Sequence, residues 1–178
     1  MLFALVSLPL IFLSRKSIFN PHSHGFFRFF GWECIAWLFS SNWKFWFADP
    51  LGIKQVISWA LLLISLYYVV AGFVLLKKLG KPEQTTSRES LFRFERTTGL
   101  VNSGIFKVIR HPMYGSLIFL SWGIFLKNGT TELLIVTLAS TLFFYFTALH
   151  DEDECIGFFG DAYLDYKKNT KMFIPFLW

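Results

Sequence analysis

Long apolar runs broken by short polar turns set the pattern of this chain. The most secure run is Val56 to Leu76, 21 residues without a charge. That is about 31 Å of helix, enough to cross a bilayer core. Met1 to Leu13 is apolar and followed by Ser14-Arg15-Lys16. Its basic residues follow the apolar run and no small-x-small cleavage site appears, so it reads as a short first span, not a signal peptide. Phe26 to Ala48 is an imperfect span. Arg28 and Lys44 suit opposite snorkelling ends, its tryptophans suit an interface, and Glu33 reads as an interfacial carboxylate near Arg28. Asn20-Pro21-His22-Ser23-His24-Gly25 and Asp49-Pro50-Leu51-Gly52 are the turns on either side. The histidine pair His22 and His24 has no further ligand nearby and reads as a loop pair, not a metal site.

The last two apolar runs are Met113 to Leu126 and Thr131 to Leu149, joined by Lys127-Asn128-Gly129-Thr130. A connection this short makes an antiparallel helical hairpin. The hairpin returns the chain to the side it left, so Arg110-His111 and Asp151-Glu152 come to lie beside each other. The segment Lys77 to Arg110 carries eight Lys and Arg against three Glu, an excess that marks the cytoplasmic side. Within it, Ser87 to Glu95 reads as a short surface helix. The fold class is therefore all-α integral membrane: about five transmembrane helices, amino terminus outside, carboxyl terminus inside, and a C-terminal hairpin opening on a cytoplasmic pocket. The tail, Gly157 to Trp178, reads as an amphipathic segment on the headgroups, ended by Pro175. One domain spans 1–178, with spans in 1–76 and the chemistry in 77–178. The setting expected is a bacterial inner membrane.

Composition supports this. Of 178 residues, 54% are hydrophobic and only 16% charged, against about 25% charged in soluble domains. No room is left for a separate soluble catalytic domain. The net charge of +5 reports topology and anionic lipid before nucleic acid, and no nucleic-acid partner is expected. Cys34 and Cys155 have neither disulfide nor zinc spacing, and no metal is expected.

The charges gathered by the hairpin can serve chemistry. Arg110 offers a planar fork to a carboxylate or phosphate. His111 donates, accepts or shuttles a proton near neutral pH. Pro112 suits the first turn of the helix that follows, whose free N–H groups favour an anion. Asp151 and Glu152 favour an ammonium or a ribose hydroxyl. S-adenosylmethionine carries a carboxylate, an ammonium, a sulfonium and a ribose, and answers all of these. The bland alternative is a non-enzymatic membrane protein whose boundary charges pair only with each other.

The run Phe94-Glu95-Arg96-Thr97-Thr98, Leu100-Val101 and Gly104-Ile105-Phe106-Lys107-Val108-Ile109-Arg110-His111-Pro112-Met113-Tyr114 resembles the membrane methyltransferases related to isoprenylcysteine carboxyl methyltransferase and phospholipid N-methyltransferase. Asp151-Glu152, Phe159-Gly160, Tyr163, Tyr166 and Phe173-Ile174-Pro175 continue the likeness over the last half of the chain. The resemblance implies S-adenosylmethionine in a pocket open to the cytosol. A lipophilic or lipidated acceptor, or a membrane lipid, would enter from the bilayer. It places Gly104, Arg110, His111, Pro112, Tyr114, Asp151 and Glu152 at the cofactor, with His111, Arg110 and Glu152 in the catalytic roles. The chain departs from the usual Glu-Glu at Asp151 and from the common Tyr at Phe106. A rival likeness to NADPH-dependent membrane sterol reductases rests on Asp151, Glu152, Cys155, Phe159-Gly160 and Ile174-Pro175. On the first likeness Cys155 is a small residue on a packed face.

Overall fold

A computed structural model describes residues 2–15, 17–20, 23–80 and 98–177. The described residues form helices α1 (Leu2–Ser14), α2 (His24–Asn42), α3 (Ile53–Leu79), α4 (Pro112–Phe125), α5 (Thr131–Phe159) and α6 (Asp161–Asn169). Two short 3₁₀ turns, Trp43–Phe45 and Gly104–Lys107, accompany them. The surface helix expected over Ser87 to Glu95 and the turn residue His22 lie outside the described residues.

Two described helices, α3 and α5, are long and apolar enough to cross a membrane. Both α1 and α4 are apolar but shorter, and α2 carries Arg28 and Glu33. Glu33 turns to the neighbouring helix. It accepts a 2.5 Å hydrogen bond from Ser7 Oγ of α1, which fixes one helix on the other.

At 29 residues, α5 is about 43 Å long, which exceeds a hydrocarbon core by roughly nine residues. Its apolar stretch ends at Leu149, as the hydrophobic pattern predicts, yet the helix runs on through Asp151-Glu152-Asp153-Glu154 to Phe159. The acidic turn thus projects beyond the membrane-length part. Gly160 ends it at φ 58°, a left-handed conformation that costs glycine little, and the chain turns into α6.

α3 packs along α4 and α2 along α5, with α4 against α5 forming the expected hairpin. Gly31 lets α2 approach closely, since a Cβ there would stand 2.6 Å from Cζ of the buried Phe144. The hairpin end is sealed by polar side chains. Asn42 Nδ2 donates to Ile124 O at 2.8 Å, beside the Lys127 N–H, and Ser58 Oγ donates to Gly123 O at 2.6 Å, so side chains of α2 and α3 complete the carbonyls at the end of α4. Lys127 Nζ donates to Gln55 Oε1 at 2.9 Å and lies 3.6 Å above the Trp59 ring.

At the opposite end the core is Tyr114, Ile118, Phe144, Ala148, Met172 and Phe173. Helix α4, helix α5 and the carboxyl-terminal tail therefore share one cluster. The tail also pairs with the loop before α4: Lys171 N donates to Val108 O, Arg110 N to Lys171 O and His111 N to Met172 O, at 2.8–3.1 Å. The result is a single parallel bridge, Ile109 with Lys171.

Candidate functional site

Pro112 stands at the first position of α4 with His111 as the preceding cap residue, where a missing N–H costs nothing. Arg110 and His111 are thereby held at the mouth of α4, with their backbones tied to the tail. The hairpin brings α5 back beside them. Arg110 Nε donates to Glu152 Oε1 at 2.7 Å, His111 Nε2 lies 3.2 Å from the same oxygen, and His111 Nδ1 lies 3.4 Å from Asp151 Oδ2. Lys167 of α6 places Nζ 2.5 Å from Glu152 Oε2. The cations and anions that the sequence pattern set beside each other do meet.

The two carboxylates differ in setting. Glu152 is 1% exposed and answers three cations, so it is the buried hub of the cluster. The Asp151 side chain keeps 20% of its surface and lines an open cleft of about 100 Å³. Arg110, His111, Pro112, Met113 and Tyr114 form another wall of that cleft. Val101 and Phe106 come from the preceding loop, and Tyr163 and Tyr166 from α6. Tyr166 Oη donates to Phe106 O at 2.7 Å, closing α6 over the loop.

Of the residues expected at the cofactor, Arg110, His111, Pro112, Tyr114 and Asp151 line the cleft. Glu152 sits behind them. Gly104 faces the far side, in an apolar groove with Leu75 and Ile105. Its φ of 57° and a Cβ position 2.7 Å from Leu75 Cδ1 make it the residue that lets this loop lie against α3. Cys155 is not merely on a packed face, because it lines the cleft one turn beyond Asp151. The helical i, i+4 spacing of Asp151 and Cys155 is a signal that could have found it. Tyr163 and Tyr166 were legible as part of a tail pattern but not as cleft walls.

The titration of the cluster follows from its contacts. Burial pushes the Glu152 carboxyl up, but hydrogen bonds from His111, Lys167 and Arg110 outweigh it and bring the carboxyl down to about 2. Burial also opposes charge on His111 and Asp151, and their mutual hydrogen bond prevails, raising the imidazole and lowering the carboxyl. With a carboxylate at each ring nitrogen, His111 is set as a donor to both.

The pH dependence of stability follows. The lowered Glu152 contributes fully above its ordinary 4.5, and that contribution is lost as pH falls towards 2. The raised His111 contributes fully below its ordinary 6.5, and its contribution is lost as pH rises through the higher folded value. Apparent melting temperature in detergent is therefore expected to plateau between pH 4.5 and 6.5 and to decline on both sides. A melting curve that climbs steadily from pH 6 to 9 contradicts the pairing.

Apolar helices with a charged cleft at one end define a class, helical proteins of membrane type. The chain belongs to the phospholipid methyltransferase family, whose profile matches residues 53–157, more than half its length. That match takes in Arg110 to Tyr114 and Asp151 to Cys155, and so decides between the two likenesses. The chain is 34% identical over 129 residues to protein-S-isoprenylcysteine O-methyltransferase of Xenopus laevis, covering 70% of this chain and 43% of that protein. To the human protein of that name it is 35% identical over 88 residues, 46% of this chain and 29% of the relative. To methanethiol S-methyltransferase of Pseudomonas deceptionensis it is 30% identical over 73 residues, 41% and 27%. The chain thus spans less than half the length of these curated relatives. No solved structure matches it.

Proposed function

We propose that the chain transfers a methyl group from S-adenosylmethionine to a lipophilic acceptor at the cytoplasmic face of a membrane. The observation that carries this is the cleft in which Arg110, His111 and Tyr114 face Asp151. The residues present fit the methyl donor. Asp151 is the cleft-facing carboxylate for an ammonium or ribose hydroxyls. The edge of the imidazole and the Arg110 side supply positive charge for a carboxylate. Tyr114, Tyr163 and Tyr166 give aromatic walls that exclude water. Bound there, the sulfonium supplies a methyl group already attached to an excellent leaving group. What remains for the protein is to hold two reactants in line and keep water out.

Glu152 orients Arg110 and His111 from behind in this reading. His111 is occupied at both ring nitrogens, and this favours an acceptor that needs no general base. Among a carboxylate, an amine and a thiol, an isoprenylcysteine-like carboxylate fits best, because it arrives ionised. The same reading takes 1–178 as one domain, with spans in 1–76 and the site in 77–178. Its about five crossings put the amino terminus outside and the carboxyl terminus in the cytoplasm of a bacterial inner membrane.

The test is titration calorimetry of the purified chain in detergent with S-adenosylmethionine, followed by a methyl-labelled donor assay on prenylated cysteine, phospholipid and small thiols. Heat of binding, and label in the carboxylate acceptor, are expected. Asp151→Asn keeps the shape and removes the charge, so the Kd is expected to rise about tenfold or more. No heat at millimolar methyl donor sinks the reading.

A further inference from the structure

Four consecutive carboxylates, Asp151 to Glu154, share one turn of α5. Helical spacing sends them in different directions. Glu152 meets Arg110, His111 and Lys167, and Asp153 is exposed. Asp151 and Glu154, three residues apart, look towards the start of α2. There His24, fully buried, sets Nδ1 2.8 Å from Glu154 Oε1. Arg28, one turn further on and 6% exposed, is on the same face of α2 and lies 5.2 Å over the Trp32 ring. Both positive groups favour charge on Asp151.

The register that brings them there is tight. A Cβ on Gly25 would come 2.6 Å from Ser17 Cβ, and one on Gly31 would meet Phe144. A buried histidine that meets this acidic turn from a helix remote in sequence ties α2 to the turn at one fixed point, and its desolvation is costly without such a partner.

We propose that His24 is a positioning residue for the methyl-donor site: it anchors the acidic turn of α5 so that Asp151 presents its carboxylate to the cleft. This rests on the cleft being the S-adenosylmethionine site. The amino-terminal helices then do more than meet the acceptor, since α2 completes the site from behind. Positioning of this kind changes affinity for the methyl donor and leaves the bound complex as reactive as before.

The experiment uses the full chain in detergent, S-adenosylmethionine as the probe, and the labelled assay at saturating methyl donor. His24→Leu is expected to raise the Kd about tenfold, the size of a lost hydrogen bond to a charged group. Turnover at saturation is expected to stay within about twofold. His24→Asn returns an N–H near the Nδ1 position and is expected to bring the Kd back to within about twofold of wild type. A folded His24→Leu that binds like wild type overturns the proposal. Equal impairment in the Leu and Asn variants also overturns it, because packing alone then explains the effect. If His24→Leu does not fold, Glu154→Gln reads the same contact from its half-exposed side. A raised Kd there supports the anchor and an unchanged one overturns it. Wild-type protein that binds no S-adenosylmethionine fells the site itself and this proposal with it. Wild-type binding matched by the variants fells only the anchor.

Discussion

Glu152→Ala is expected to unfold the site and to abolish methyl-donor binding. Its carboxylate is 1% exposed and sits among Arg110 Nε at 2.7 Å, His111 Nε2 at 3.2 Å and Lys167 Nζ at 2.5 Å. Removing one partner of a buried ion pair leaves the others charged and unanswered, which costs about 3–5 kcal/mol. Here Arg110 loses its carboxylate and His111 one of its two, and only Lys167, 41% exposed, can turn to water. Glu152→Gln keeps the volume and one acceptor oxygen, so its loss is expected to fall between Ala and wild type. Apparent melting by circular dichroism and calorimetry on the same samples check this. A Glu152→Ala protein that melts and binds as wild type does would show that the hub carries neither stability nor site. Asp151→Asn offers the contrast. It faces the cleft, so affinity is expected to move more than stability.

That contrast shows what the chain alone disclosed. The hairpin was legible because Lys127-Asn128-Gly129-Thr130 is too short for any connection but an antiparallel one. The meeting of Arg110-His111 with Asp151-Glu152 followed from it. Pro112 as the first residue of α4 was legible for the same local reason. The division of labour between two adjacent carboxylates was not, because it depends on which side of α5 each faces once α6 has folded over. Nor was the length of α5. The hydrophobic pattern stops at Leu149, yet the helix persists to Phe159, since cations from three other elements neutralise a turn that would otherwise repel itself. His24 and Arg28 looked like a loop residue and a snorkelling cation. Their partner lies 130 residues away in sequence for His24, and no local spacing announces such a contact. The groove beside Gly104 illustrates the converse: the glycine was legible, but its use against Leu75 and not at the cleft needed the packing of α3.

Arg110→Lys is expected to loosen the end of α6 although the charge is kept. The Arg110 guanidinium works in two directions. Its Nε holds Glu152 at 2.7 Å, while Nη1 donates to Thr170 O and, at 3.3 Å, to Lys167 O. A lysine ammonium is a single point at the end of a flexible stem and cannot span a carboxylate on α5 and two carbonyls at the end of α6. It follows Glu152, where the Coulomb attraction is larger, and the carbonyls at the end of α6 lose their donor. Each such bond to a charged group contributes about 1.5–3 kcal/mol. The parallel bridge of Ile109 with Lys171 and the burial of Met172 and Phe173 still hold the tail, so the effect is local opening and not global loss. Trypsin reads it directly, because Lys168 is exposed and lies in the segment that opens. Where cleavage follows the open population, about 1.4 kcal/mol is a tenfold change, so cutting there is expected to rise about tenfold or more. Affinity for the methyl donor is expected to fall in parallel, since Tyr163 and Tyr166 wall the cleft only while α6 stays down. If positive charge at position 110 were the whole contribution, Arg110→Lys would keep both the protection and the affinity of wild type, and the fork would have no part in closing the cleft.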